Sequence, residues 1–188
     1  KNRREDTCLG IAIALYTGIR IGELCALSWE DINLEERMIY IKRNIQRTKD
    51  DICPENKTKV IVLTPKTADS ERMIPIPPTL YEMLSEQGKG KAGAVIAGVR
   101  GPWIDTRTLQ YRFKKILEEC GIEYFNFHML RHAFATRCVA MGFDIKSLSE
   151  ILGHSSIQMT MSLYVHPSIQ QKKQLMDKFH SYRNPEAS

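Results

Sequence analysis

Several familiar chemistries are excluded by what this chain of 188 residues lacks. Its five cysteines, Cys8, Cys25, Cys53, Cys120 and Cys138, form no C-x-x-C pair, and three of them lie in apolar helical patterns. An odd, irregularly spaced set of this kind is neither a disulfide framework nor a zinc site, and it points to reduced thiols in a cytoplasmic protein. No apolar run approaches the ~18 residues that a membrane span needs, and no signal-peptide pattern is present. The segment GKGKAG at 88–93 has the glycines and lysines of a phosphate cradle without the G-x-x-x-x-G-K-S/T order, so a nucleotide-binding loop is discarded. Internal repeats and low-complexity tracts are missing as well, and nothing inside the chain marks a domain boundary.

What is present is ordinary globular material, 43% hydrophobic and 26% charged, long enough to bury one continuous core. Lysine and arginine total 27 against 22 acidic residues, a net charge of +5. That balance permits nucleic-acid binding without demanding it, since an ordinary slightly basic surface has the same count. The chain opens on Lys1 and not on methionine. The expectation is a single domain over 1–188, the C-terminal fragment of a longer protein.

Apolar residues nearly all round predict a buried helix from Glu5 to Tyr16, stopped at Thr17-Gly18, and a second helix from near Gly22 to Trp29. Arg20 lies in the tight connection between them. An arginine at a turn is normally solvated, but Ile19 and Ile21 anchor this one's backbone and so fix the aim of its fork. Strands are predicted at Met38–Ile45, Val60–Leu63 and Arg72–Ile76, with an exposed loop over Lys49–Lys59. The last two strands would be joined by a hairpin, TPKTADSE, where Lys66 either solubilises the tip or brings a mobile cation to a ligand.

Five further helices are predicted: Thr79–Ser85, one from an Asp105 or Thr106 cap to Glu119, Phe127–Met141, one capped by Asp144 and ended by Gly153, and a short one with Ile157, Met161 and Tyr164 on one face. In Phe127–Met141 the apolar stripe is Leu130, Phe134, Cys138 and Met141, with His128 and Arg131 as neighbours beside it. Tyr164 reads equally as a core tyrosine completing its stripe. A tail at 168–188, helical as far as Tyr182, carries Leu175, Met176 and Phe179 on one side. The candidate DNA contacts are Lys42, Arg43 and Arg47 at the end of the first strand, and Arg107, Arg112 and Lys115 on one helix. Such faces are as often merely solvated.

The chemistry follows from residue types. A hard cation is usually held by Asp or Glu, and no carboxylate cluster accompanies these groups. His128, His132 and His154 lack the glutamate of H-E-x-x-H, so no metal is expected. Arg20 and Arg131 could instead neutralise the non-bridging oxygens of a phosphodiester. Tyr164, with a free pKa of about 10, could then attack phosphorus, with His128 as base, Lys66 protonating the 5′ oxygen and His154 donating to the phosphate.

The stretches TGIRIGELCALSWEDI, TPKTADSERMIPIP, HMLRHAFATRC and LGHSSIQMTMSLYVH, spread from residue 17 to 166, resemble the catalytic domain of the tyrosine recombinases, the phage and conjugative-transposon integrases. The resemblance implies a mainly α fold with a small antiparallel β-sheet (α+β). It puts Arg20, Lys66, His128, Arg131, His154 and Tyr164 in the six catalytic positions, with Glu23 as an acidic brace and His132 in support. It implies a covalent 3′-phosphotyrosyl intermediate and no cofactor, neither ATP nor metal. The partners implied are double-stranded DNA, gripped by a clamp of which this domain is half, and other protomers, a tetramer in the full-length complex. The tail after Pro167 would pass to a neighbour. No membrane is involved, and the setting is the bacterial cytoplasm, with the nucleoid when bound to DNA. A type IB topoisomerase, a non-cleaving DNA-binding protein of the same fold, and a histidine-based metal nuclease are the competing readings. On sequence alone, Arg131→Ala is expected to cost orders of magnitude in cleavage and leave the fold intact.

Overall fold

Arg3–Thr17 forms α1 and ends where Gly18 turns to φ +64. A side chain there would be strained, and its Cβ would lie 2.5 Å from Phe134. Helix α2, Ile21–Cys25, follows at once but stops short of Trp29. The reason is a tertiary pairing: Val95 N–H donates to Leu27 O and Trp29 N–H to Gly93 O, each at 2.9 Å. The backbone at 27–29 is thereby committed to the glycine-rich stretch, whose Val95 and Ile96 are buried in the core. Trp29–Asp31 makes only a 3-10 turn. The computed structural model describes residues 3–49, 58–63, 72–98, 101–154 and 156–164, with Ile169, Lys173, Met176 and Asp177 as isolated positions beyond.

The strands are β1 Ile32–Asn33, β2 Met38–Ile41, β3 Asn44–Lys49, β4 Thr58–Leu63 and β5 Arg72–Pro75. They form two antiparallel sheets, β1-β2-β5 and β3-β4. The expected strand Met38–Ile45 is therefore two, interrupted at Lys42-Arg43. Arg43 turns inward there: it pairs with Asp31, donates to Ser28 Oγ at 2.6 Å and lies over the Trp103 ring. The expected hairpin is also corrected. Strand β4 pairs with β3 (Ile45↔Val62), and β5 pairs with β2 (Ile39↔Ile74). Lys49 and Thr58, at the ends of the expected loop, belong to the β3–β4 ladder. All of TPKTADSE, Lys66 included, lies outside the described residues.

The remaining helices are α3 Pro78–Gly88, α4 Thr106–Glu119, α5 His128–Ala140, α6 Ile145–Leu152 and α7 Ile157–Tyr164. The predicted caps are present: Asp105 accepts from Arg107 N–H and Asp144 from Ser147 N–H. Helix α1 packs on α3, α4 and α5. At the centre Phe113 meets Phe125 and Phe127 edge-on, with ring centroids 5.4 and 5.1 Å apart. A smaller cluster of Ala135, Cys138, Leu148 and Leu152 joins α5 to α6.

Two stripes differ from expectation. Helix α5 buries Leu130, Arg131, Ala135 and Cys138, while Met141 is 70% exposed. Helix α7 exposes Ile157 and Met161 and buries Thr160. The tail at 168–188 lies outside the described residues apart from the four isolated positions. Among the described residues no helix is long and apolar enough to cross a membrane. The architecture is mainly α with small antiparallel sheets.

Phe113 fills the centre of the core and is almost fully buried. Phe113→Ala should lower the unfolding free energy by about 3–5 kcal/mol, read from urea midpoints at unchanged m-value.

Candidate active site at the end of α6

The last turn of an α-helix leaves its carbonyls without intrahelical donors. In α6 every one of them is accounted for. Gly153 adopts the left-handed conformation, φ +63, and closes a Schellman pair: its N–H donates to Glu150 O and His154 N–H donates to Ser149 O, both at 3.0 Å. The next three carbonyls each take a different arginine. Arg72 Nε donates to Ile151 O at 2.8 Å, Arg131 Nη2 to Leu152 O at 2.7 Å, and Arg20 Nη2 to Gly153 O at 2.5 Å. Three guanidiniums thus converge on the negative end of one short helix, and His154 is the next residue.

Each arginine is held from a second side. Arg131 Nη1 donates to Gly18 O at 2.6 Å, and its side chain is buried. Arg20 Nη1 donates to Glu23 Oε1 at 2.9 Å, and its own backbone N–H donates to Glu23 Oε2. Arg72 forms a two-pronged bridge to the same carboxylate, Nη1 to Oε1 at 2.8 Å and Nη2 to Oε2 at 2.7 Å. Burial alone would raise the Glu23 carboxyl. The hydrogen bonds and charge of Arg72, then those of Arg20, outweigh it and hold the group below its ordinary value.

The histidines face this charge. Burial first, then the charges of Arg131, Arg20, Arg72 and His128, push His154 down to about 4. Its Nδ1 is 2.8 Å from Thr160 Oγ1, which ties the loop after α6 to α7. His128 is lowered as well, by burial first and then by His132, Arg131 and Arg20. His128 and His132 stand one turn apart on α5 with rings edge-on at 4.8 Å. Both catalytic candidates among the histidines are therefore neutral near pH 7.

Five of the proposed residues (Arg20, Glu23, His128, Arg131 and His154) thus share one site, with His132 at its edge. Tyr164 ends α7, four residues beyond Thr160, and its side chain lies outside the described set. Lys66 does too. The expectation that Arg131→Ala spares the fold is revised, because it would strand two carbonyls in buried surroundings, about 1–3 kcal/mol each. Arg72 and Thr160 were missed. Period-two alternation from Ile74 and Ile76 already put Arg72 on the buried face of its strand.

The candidate DNA contacts divide. Arg43 is spent on Asp31 and Ser28. Arg47 pairs with Asp105 and donates to Thr58, and Arg112 leans on Ala97 O. Lys42 is about half exposed beside Asp31, while Arg107 and Lys115 lie on the exposed side of α4, Lys115 over the Tyr111 ring. Among the described residues no three His, Cys, Asp or Glu side chains are grouped to hold a metal.

Residues 2–171 match the phage integrase family, and the chain belongs to that family. It is 37% identical over 177 residues to the tyrosine recombinase XerC-like protein of Caldanaerobacter subterraneus subsp. tengcongensis, covering 85% of this chain and 45% of that protein. It is 29% identical over 174 residues to tyrosine recombinase XerC of Corynebacterium efficiens, covering 89% and 48%. The chain thus spans about half the length of the curated relatives it matches. Among solved structures, the Tn1549 transposon integrase in complex with a circular intermediate DNA superposes with a TM-score of 0.67 at 26% identity, over 91% of this chain and 58% of that one. XerA recombinase, at 22% identity and a TM-score of 0.65 over 95% and 57%, shares the fold.

The His154 imidazole should titrate near pH 4 by NMR. Because that is below the ordinary histidine value of about 6.5, the unfolded chain takes up the proton first as pH falls. This part of the stability is complete above about 6.5 and declines toward the folded value of about 4. His154→Asn should lose that part of the acid sensitivity.

Proposed function

We propose that this chain is the catalytic domain of a longer site-specific DNA recombinase, cutting and rejoining duplex DNA through a covalent phosphotyrosine on Tyr164. The observation that carries the reading is the seating of Arg20 and Arg131 on the adjacent carbonyls of Gly153 and Leu152, directly before His154. Guanidiniums seated on neighbouring residues would meet one phosphate, with Arg20 partly open to solvent.

In the proposed step the Tyr164 phenolic oxygen attacks phosphorus and the P–O5′ bond breaks. The phenolic proton passes to His128, whose lowered pKa keeps it unprotonated and ready. Lys66 supplies a proton to the departing 5′ oxygen. With Thr160 O–H donating to Nδ1 of His154, the ring proton sits on Nε2, which donates to a non-bridging oxygen. Arg20 and Arg131 carry the charge that builds on the equatorial oxygens. A free 5′ hydroxyl reverses the sequence on the phosphotyrosine, so bond energy is conserved and no nucleotide triphosphate or metal is consumed.

Glu23 and His132 act in support. Of the six candidate DNA contacts, Lys42, Arg107 and Lys115 are the exposed ones and would meet the DNA backbone. Further protomers, as a tetramer on DNA with the 168–188 tail passed between neighbours, belong to the same reading. So does a preceding domain that completes the grip on the duplex.

The test is a suicide DNA substrate carrying the protein's recombination site, incubated with full-length protein in EDTA and resolved on denaturing gels. A DNA-linked band is expected, absent in Tyr164→Phe. Arg131→Lys keeps the charge and loses the fork, and should form the band roughly 10²–10³-fold more slowly. Cutting that needs Mg²⁺ and leaves no protein-linked DNA would contradict the reading. Relaxation of supercoils at any sequence, without recombination, would replace it with a topoisomerase.

A further inference from the structure

Arg72 has no part in the chemistry proposed above, yet three parts of the site meet on it. Its guanidinium places two nitrogens on the Glu23 carboxylate and the third on Ile151 O. All three nitrogens are aimed at fixed oxygens from different elements, and the side chain is only 11% exposed. Each Glu23 oxygen is shared: Oε1 accepts from Arg20 Nη1 and Arg72 Nη1, Oε2 from the Arg20 backbone and Arg72 Nη2. Arg20 is therefore aimed by a carboxylate that Arg72 holds still.

The same side chain lies across the residue that precedes His154. A Cβ on Gly153 would fall 2.9 Å from Arg72 Cδ and 2.9 Å from its Nη1. Glycine at 153 thus serves both the left-handed turn and the passage of Arg72 beneath it. Arg72 also opens β5, paired with Ile41 of β2, six residues after Lys66 in the chain. Through it the sheet is registered against α2 and the end of α6.

We infer that Arg72 is a positioning residue of the active site: clamped between the Glu23 carboxylate and the Ile151 carbonyl, it fixes where Arg20 and His154 stand relative to each other. The inference rests on the recombinase reading of this site. What it requires is the fork and not the charge alone. A lysine ammonium carries its three donors on one nitrogen and does not span two carboxylate oxygens and a carbonyl as the planar fork does. Were the pair only a stabilising ion bridge, a lysine that kept the fold would keep the rate. The charges facing His154 are Arg131, Arg20 and Arg72, with His128 beside them, so loss of one cation there is readable on the imidazole itself.

Arg72→Lys and Arg72→Gln are compared with wild type in two measurements, after thermal melts establish that each is folded. In the first, full-length protein at saturating suicide DNA is followed for the covalent band. Arg72→Lys should slow it by roughly 10²-fold, the scale of a misplacement of about 1 Å, with DNA affinity unchanged. In the second, which needs no DNA, the His154 imidazole is titrated by NMR, and Arg72→Gln should raise its pKa. Arg72→Lys at the wild-type cleavage rate, or an unmoved His154 pKa in Arg72→Gln, would overturn the inference. If Arg72→Gln does not fold, the lysine variant alone decides on the cleavage rate. A wild-type protein that forms no covalent band would instead contradict the recombinase reading, and the titration would still decide whether Arg72 governs His154.

Discussion

The C-terminal end of one short helix, loaded with three guanidiniums, is the constraint on which the rest of this site depends. Three cations brought so close repel one another, and the arrangement needs compensation from every side. Two sources are visible. The helix end contributes about half a negative charge spread over its carbonyls, and Glu23 contributes a full one from a buried position, shared by Arg20 and Arg72. Hydrogen bonds to charged donors contribute about 1.5–3 kcal/mol each, which is why the arrangement also fixes α6 against α2, α5 and β5. Arginine suits each place because a planar fork reaches two acceptors in different directions.

The electrostatic consequence is a pocket that stays cationic through its arginines while its histidines stay neutral. His154 and His128 are both lowered, by burial first and then by the same guanidiniums. A neutral imidazole can accept a proton or donate a directed hydrogen bond, whereas an imidazolium would add one more positive charge to a crowded place. On the proposed reading, a phosphodiester would meet guanidiniums already held in place by Glu23 and the carbonyls at the end of α6. The Thr160–His154 contact ties this pocket to α7, the helix that Tyr164 ends.

Much of this was legible from local pattern, and the exceptions share one cause. The caps at Asp105 and Asp144 and the stop at Gly153 follow from side chains acting on neighbouring backbone, and they are found where expected. Spacing on α5 and the glycine before His154 are local signals, and the structure brings Arg20, Glu23, His128, Arg131 and His154 together. Lys66 and the Tyr164 side chain lie outside the described residues. What failed needed knowledge of distant partners. Arg131 was set beside an apolar stripe because helical spacing does not reveal that Gly18 O and Leu152 O await it inside. The first strand was read through Lys42-Arg43 because nothing in its alternation discloses the pull of Asp31 and Trp103 on Arg43. Strands Val60–Leu63 and Arg72–Ile76 were paired because they are adjacent in sequence, whereas each has a partner nearer the N-terminus. Arg43, Arg47 and Arg112, which the pattern presents as outward charges, lie part-buried and donate to Ser28, Asp105 and Ala97 O.

The central claim is that two guanidiniums seated on neighbouring carbonyls serve a single phosphate. A crystal structure of the Tyr164→Phe protein on its intact DNA site tests it most directly. Nitrogens of both Arg20 and Arg131 are predicted within about 3 Å of non-bridging oxygens on the same phosphorus, with the Gly153 and Leu152 carbonyls still accepting from them. Two guanidiniums on different phosphates, or either one turned away from the DNA, would contradict the account.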